Sequence, residues 1–249
     1  MIVGILVPFT SFRYRVQAIL LTSLSCGLAA SYRSLNTFGD KLSVIWRESR
    51  AGMNRPAFYL GTLTFEVLVP NIYLPFCLMM GLFFLLGPHG SFGEMYLAVT
   101  LGFWPFAALG RLMSMIMARE TSQMATVLLI IGLHLNGSML PTINELASFP
   151  SVNSETVARA LLAASPARWL AEYMFAIELG AFPPSRELEA DAELDFYSYR
   201  RDAPSIVSWA LILQGIVFDA LALAAMMLLH RPEQNRAKWK TVVKDRLAH

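Results

Sequence analysis

Five apolar stretches, separated by segments that hold most of the charge, constrain this chain more than any other feature. A helix that crosses a bilayer needs roughly 20 mainly apolar residues. Residues 16–31, 57–86, 92–118, 122–140 and 205–229 reach or approach that length. With no water in the hydrocarbon core, such segments must satisfy their own backbone polar groups, and a helix does so. The expected fold is therefore all-α, a polytopic membrane bundle of about five spans forming one domain over residues 1–249. Composition agrees. Hydrophobic residues make up 55% and charged residues 15%, against about 25% charged in soluble domains.

Lys and Arg in the connections set the orientation. Arg33, Lys41, Arg47, Arg50 and Arg55 follow the first run. Arg119 sits between the third and fourth, and residues 231–249 form a basic tail. Five spans put these three regions on one side, the cytoplasm. The Gly87–Gly90 turn and the long segment 141–204, with its acidic row from Glu187 to Asp195, fall outside. Arg13 and Arg15 lie on the wrong side of this arrangement. An odd span count leaves the N-terminus outside, and no basic n-region or cleavage site marks a signal peptide.

Within the outer segment, Ser165-Pro166 reads as a helix start and Gly180 with Pro183-Pro184 as a stop. Trp169, Leu170, Tyr173, Met174 and Ile177 share one face, while Arg168 and Glu172 fall opposite. The pattern predicts an amphipathic helix for the membrane interface or the mouth of the bundle, or a plain packing helix.

The chain lacks the motifs of soluble chemistry. It has no phosphate-binding Gly-rich loop followed by Lys, no His-Glu-x-x-His and no Gly-x-Ser-x-Gly. No catalytic residue, metal site or bound cofactor is expected, and the chain by itself is not expected to be an enzyme. A net charge of +2 gives no reason to expect nucleic acid. Cys26 and Cys77 lie in apolar runs, where each reads as a small core side chain.

Ionisable groups inside spans are functional candidates because a charge in hydrocarbon is expensive. Glu66, His134 and Asp219, with Asn136, form the expected polar relay or substrate path. Glu66 and Asp219 should face the bundle interior. If they are merely structural, Leu in their place should be tolerated. Glu94 and Arg111 are expected at the interfaces, with Arg111 snorkelling to cytoplasmic headgroups. Asn136-Gly137-Ser138 matches a glycosylation sequon, expected to stay unmodified so near the membrane. Pro70, Pro75 and Pro105 should bend their spans. Three aromatic groups (Phe58, Tyr59 and Phe65; Phe83 and Phe84; Phe103, Trp104 and Phe106) could line a lipid pocket, or face lipid or core.

One polar stretch carries a family likeness. Ser34-Leu35-Asn36-Thr37-Phe38-Gly39, Trp46-Arg47-Glu48-Ser49, Gly52-Met53, Arg55, Ala57 and Leu60-Gly61 resemble the cytoplasmic coupling segment of the G subfamily (white-type) of ABC transporters. The look is closest to plant and algal members. Ser165-Pro166-Ala167-Arg168-Trp169 with Glu172 resembles that family's stretch before its last span. The resemblance implies an exporter-type membrane domain whose segment 37–55, through Arg47, Glu48, Gly52 and Arg55, docks on an ATP-binding domain. ATP and Mg would be bound by that domain, in the same protein or a separate chain. It also implies a second transporter half, homo- or heterodimeric, and contact with membrane lipids. The external loop lacks the cysteines many members pair there. The family's first span and nucleotide-binding domain are also missing, so the chain is expected to be a fragment or split half.

The function expected on these grounds is that of the membrane-spanning part of an ATP-driven exporter. Its cargo would be lipids or other hydrophobic molecules, and its site a membrane, the plasma membrane before an organelle. The alternative is a non-transporting scaffold or inactive fragment.

Overall fold

The computed structural model describes residues 12–39, 42–117, 119–135, 160, 162–181, 192, 194–197, 199 and 204–228. Their main elements are helices α1 (Phe12–Gly39), α2 (Leu42–Arg50), α3 (Arg55–Leu68), α4 (Pro70–Leu86), α5 (Phe92–Ile116), α6 (Arg119–His134), α7 (Pro166–Gly180) and α8 (Pro204–Leu228). No strand occurs among the described residues, and the chain is an all-α bundle.

Among the described residues, three helical segments are long and apolar enough to cross a membrane: Arg55–Leu85, Phe92–Ile116 and Ser205–Leu228. Thr121–His134 is a shorter apolar helix. The first run differs from expectation. Instead of ending near residue 31, α1 continues through Arg33 and Asn36 to Gly39. Along its apolar part the hydroxyls are satisfied by bonding back to the helix's own carbonyls. Thr22 donates to the Ala18 carbonyl at 2.7 Å, Ser25 to Thr22 at 2.9 Å, and Ser31 to Gly27 at 2.6 Å.

The second run is not one helix. It breaks at Val69 (φ −111°, ψ −70°), where Pro70 opens α4. Pro70 has no N–H to offer the Glu66 carbonyl, so the ladder cannot run through. Pro75 and Pro105, by contrast, are carried inside α4 and α5. Local capping explains the other starts. The Asn54 side chain accepts from the Ala57 N–H, and the Ser91 hydroxyl accepts from Glu94 N–H while donating to the Glu94 carboxylate at 2.8 Å. That cap leaves Glu94 exposed, where sequence placed it.

Helix α5 is the central post, packing against α1, α4, α6, α7 and α8. At its crossing with α1 the backbones meet. A Cβ on Gly110 would lie 2.9 Å from Ser31 Cα, so only glycine admits this approach. The main core gathers Cys26, Ala30, Phe103, Phe106, Ile130 and Leu170. A second, smaller core holds Phe38, Ile45, Tyr59, Met115, Ala222, Ala225 and Met226 at the end where α2 lies.

Helix α7 spans the predicted residues but is not amphipathic in place. From Pro166 to Leu179 every residue is buried except Trp169, which is partly so. Arg168 and Glu172, expected opposite the apolar face, are 8% and 3% exposed, as a plain packing helix requires. Arg168 lies over the Tyr199 ring at 5.2 Å, a cation–π contact that a sequence periodicity does not reveal. Burial pushes the Tyr199 phenol above its ordinary range. Ser165 holds the N-cap position, yet its hydroxyl donates to the Leu133 carbonyl of α6 instead. At the other end Glu178 accepts the backbone N–H groups of His89 (3.0 Å) and Gly90 (3.2 Å). One short helix thus ties α6 to the α4–α5 turn.

Candidate functional site

The site builds from α2 inward. Helix α2 is nine residues long and ends in a tight motif. Gly52 N–H donates to the Ser49 carbonyl and Met53 N–H to Glu48, with Gly52 at φ +105°. A positive φ at that position is what glycine supplies. The Arg55 Nε donates to the Ser49 hydroxyl and fastens the turn to the start of α3. Ile45 is 1% exposed and belongs to the smaller core, whereas Arg47 and Glu48 are exposed. The helix is therefore pinned by one apolar side and offers a charged side outward. All four residues expected to couple to an ATP-binding domain lie on α2 or within five residues of its end.

Directly linked to the same core is a buried ion pair. Arg111 of α5 is fully buried. Its Nε and Nη2 donate to the Asp219 carboxylate of α8 at 2.8 and 3.0 Å, a two-pronged geometry that adds direction to charge. Trp104 Nε1 donates to Asp219 Oδ2 at 2.9 Å, and the Tyr59 hydroxyl donates to Oδ1 at 3.0 Å. Three helices meet on one carboxylate. Arg111 Nη1 has no partner among the described residues.

This corrects the expectation for Arg111. The sequence placed it near a span end with a long aliphatic stem, which is how a snorkelling arginine reads. The structure turns it inward because Asp219 is there to neutralise it. A signal existed: Arg111 is the one basic residue of run 92–118, Asp219 the one charge of run 205–229, and Trp104 lies seven residues, two helical turns, before Arg111.

The other expected path residues are buried, but in different company. Glu66 is 4% exposed, accepts from Thr37 Oγ1 at 3.1 Å and lies 3.7 Å from Arg33 Nη2. His134 is 1% exposed, lies 3.2 Å from Ser23 Oγ, and stacks on Phe106 with centroids 5.3 Å apart. Glu66 thus joins α3 to α1, His134 joins α6 to α1, and Asp219 joins α8 to α5 and α3. Asn136, with the sequon it begins, lies outside the described residues, as do the basic tail and the acidic row up to Glu193; Asp195, at the end of that row, is exposed. The three aromatic groups do not form one lining. Phe103 and Phe106 are core, Phe65 and Phe84 are exposed, and Tyr59 stacks on Phe38 at 5.2 Å.

No metal-binding cluster of His, Cys, Asp or Glu occurs among the described residues. What the arrangement offers is mechanical: a surface helix with exposed charge, pinned to a core that leads to a buried ion pair. Comparison with curated proteins gave no match. The family described as ABC-2 type transporter matches residues 7–232, from the start of α1 past the end of α8, and so takes in α2, the smaller core and the ion pair together. The chain belongs to the ABC-2 type transporter family, and is a membrane protein of the kind that forms the membrane part of ABC transporters.

Proposed function

We propose that this chain is the membrane half of an ATP-driven exporter for lipids or other hydrophobic molecules, of the G-subfamily type, acting at the plasma membrane. ABC-2 membrane domains work with ATP-binding partner domains. Here α2 is the docking element for that partner, which binds ATP and Mg and supplies the hydrolysis. The observation that carries this reading is α2 itself. A helix of nine residues whose Ile45 is buried while Arg47 and Glu48 are exposed has an outward face free for a partner and an inward face able to move the bundle.

A second half packs along α1 in this reading. Among the described side chains of α1 the exposed ones are Gln17, Leu21, Ser25, Ala29, Tyr32 and Arg33, a stripe that mixes polar and small residues with two large ones. The exposed positions of α4 and α8 are mostly large and apolar, among them Phe76, Phe84, Trp209 and Leu213. The latter suit lipid tails. The former suits another protein surface or a polar cavity between two halves.

Photo-crosslinkers placed at positions 47 and 48 in the native membrane test the docking. The expected product is a conjugate with a P-loop ATPase, lost when the neighbouring residue is changed by Arg47→Ala or Glu48→Ala. Both residues are exposed, so the fold should be unaffected. Crosslinking to lipid alone would move the chain to the class of non-transporting scaffolds.

A further inference from the structure

We propose that Tyr59 is a positioning residue that carries displacements of α2 to the Arg111–Asp219 pair. The proposal rests on the reading of α2 as the docking helix. Arg111 and Trp104 both come from α5 and would hold Asp219 of α8 without help. Tyr59 comes from elsewhere, from the second turn of α3, just beyond α2. Its ring lies nearly parallel to Phe38, with an interplanar angle of 8°, and Phe38 is in the last turn of α1, just before α2. One side chain therefore touches the helix entering α2, belongs to the helix leaving it, and ends on the buried carboxylate.

The ring is suited to transmit small movements. It is 1% exposed and shares the smaller core with Ile45, the apolar pin of α2. A shift of α2 must move the last turn of α1 or the first turns of α3, and both grip this ring. The hydroxyl reads the shift out. It lies 3.0 Å from Asp219 Oδ1 and 3.2 Å from the Asp219 carbonyl oxygen, so one ångström of travel breaks the bond. Asp219 then meets Arg111 and Trp104 on one side only, and its carboxylate is free to turn.

Trp104 supplies the reporter, since its indole N–H sits on the same carboxylate at 2.9 Å. The experiment uses the assembly with its ATPase, carried in nanodiscs, with fluorotryptophan at all five tryptophans. Fluorine NMR then follows the Trp104 resonance, assigned by its loss in Trp104→Phe, before and after addition of MgATP with orthovanadate. The resonance should move in the parent. In Tyr59→Phe, which keeps the ring and its stacking, hydrolysis should continue while the movement is lost. Phe38→Leu, which keeps the hydroxyl, should reduce it as well. A merely structural Tyr59 would leave the nucleotide-driven movement intact in Tyr59→Phe, and that result would overturn the proposal. A parent that hydrolyses ATP with a stationary Trp104 resonance would also overturn it while leaving the docking reading in place. An assembly without ATP hydrolysis would remove the docking reading and the proposal together.

Discussion

At the level of single residues, Asp219 accepts from Tyr59, Trp104 and twice from Arg111, which fills the roughly four acceptor sites of a carboxylate. Nothing is left with which to greet a cargo. In this arrangement Asp219 holds α3, α5 and α8 together. The same pairing changes the forecast for its replacement. Leu at 219 alone strands a fully buried guanidinium, and breaking a buried pair from one side costs about 3–5 kcal/mol. The double change Arg111→Met with Asp219→Leu removes both charges and should recover most of that loss. Thermal unfolding of the two single variants and the double in the same detergent measures it. A double variant no more stable than Asp219→Leu would show that the pair contributes nothing through its charges.

Helices show where sequence reading succeeds and where it stops. Starts and stops written in local chemistry were legible: Ser165-Pro166 and Gly180 bound α7, and Pro70 marks the break in the second run. The apolar runs gave the helical class. What the sequence did not carry was each residue's neighbour in space. Spacing put Arg168 and Glu172 together, opposite an apolar face, without showing that other segments cover both. Arg111 looked interfacial because its partner lies 108 residues away. The break at Val69 was legible only as a bend, since a proline reports a missing N–H without saying whether the helix continues. The clasp between Glu178 and residues 89–90 also belongs to this scale. Glu178→Ala removes the acceptor for two backbone N–H groups, so hydrogen exchange at His89 and Gly90 should quicken while the middle of α5 keeps its protection. Equal rates in the variant and the parent would show that the turn holds itself.

For the molecule as a whole, the path of the chain sets α2 and the α4–α5 turn at opposite ends of the α3–α4 segment. Single cysteines introduced at positions 47 and 89, both exposed in the native protein, should react with a membrane-impermeant maleimide from opposite faces of sealed vesicles. Labelling of both from the same face would require a different threading of α3 and α4. The contact between Gly110 and Ser31 bears on how such a body can move. Two rods that touch backbone to backbone cannot slide past that point, but one can rock on the other. From Ser31 to the end of α1 at Gly39 is about 12 Å, and from Ser31 to Phe12 about 28 Å, at 1.5 Å per residue. Helix α1 is thus a lever with its fulcrum off centre, and a tilt that moves its short arm by a given distance moves the long arm by roughly twice as much.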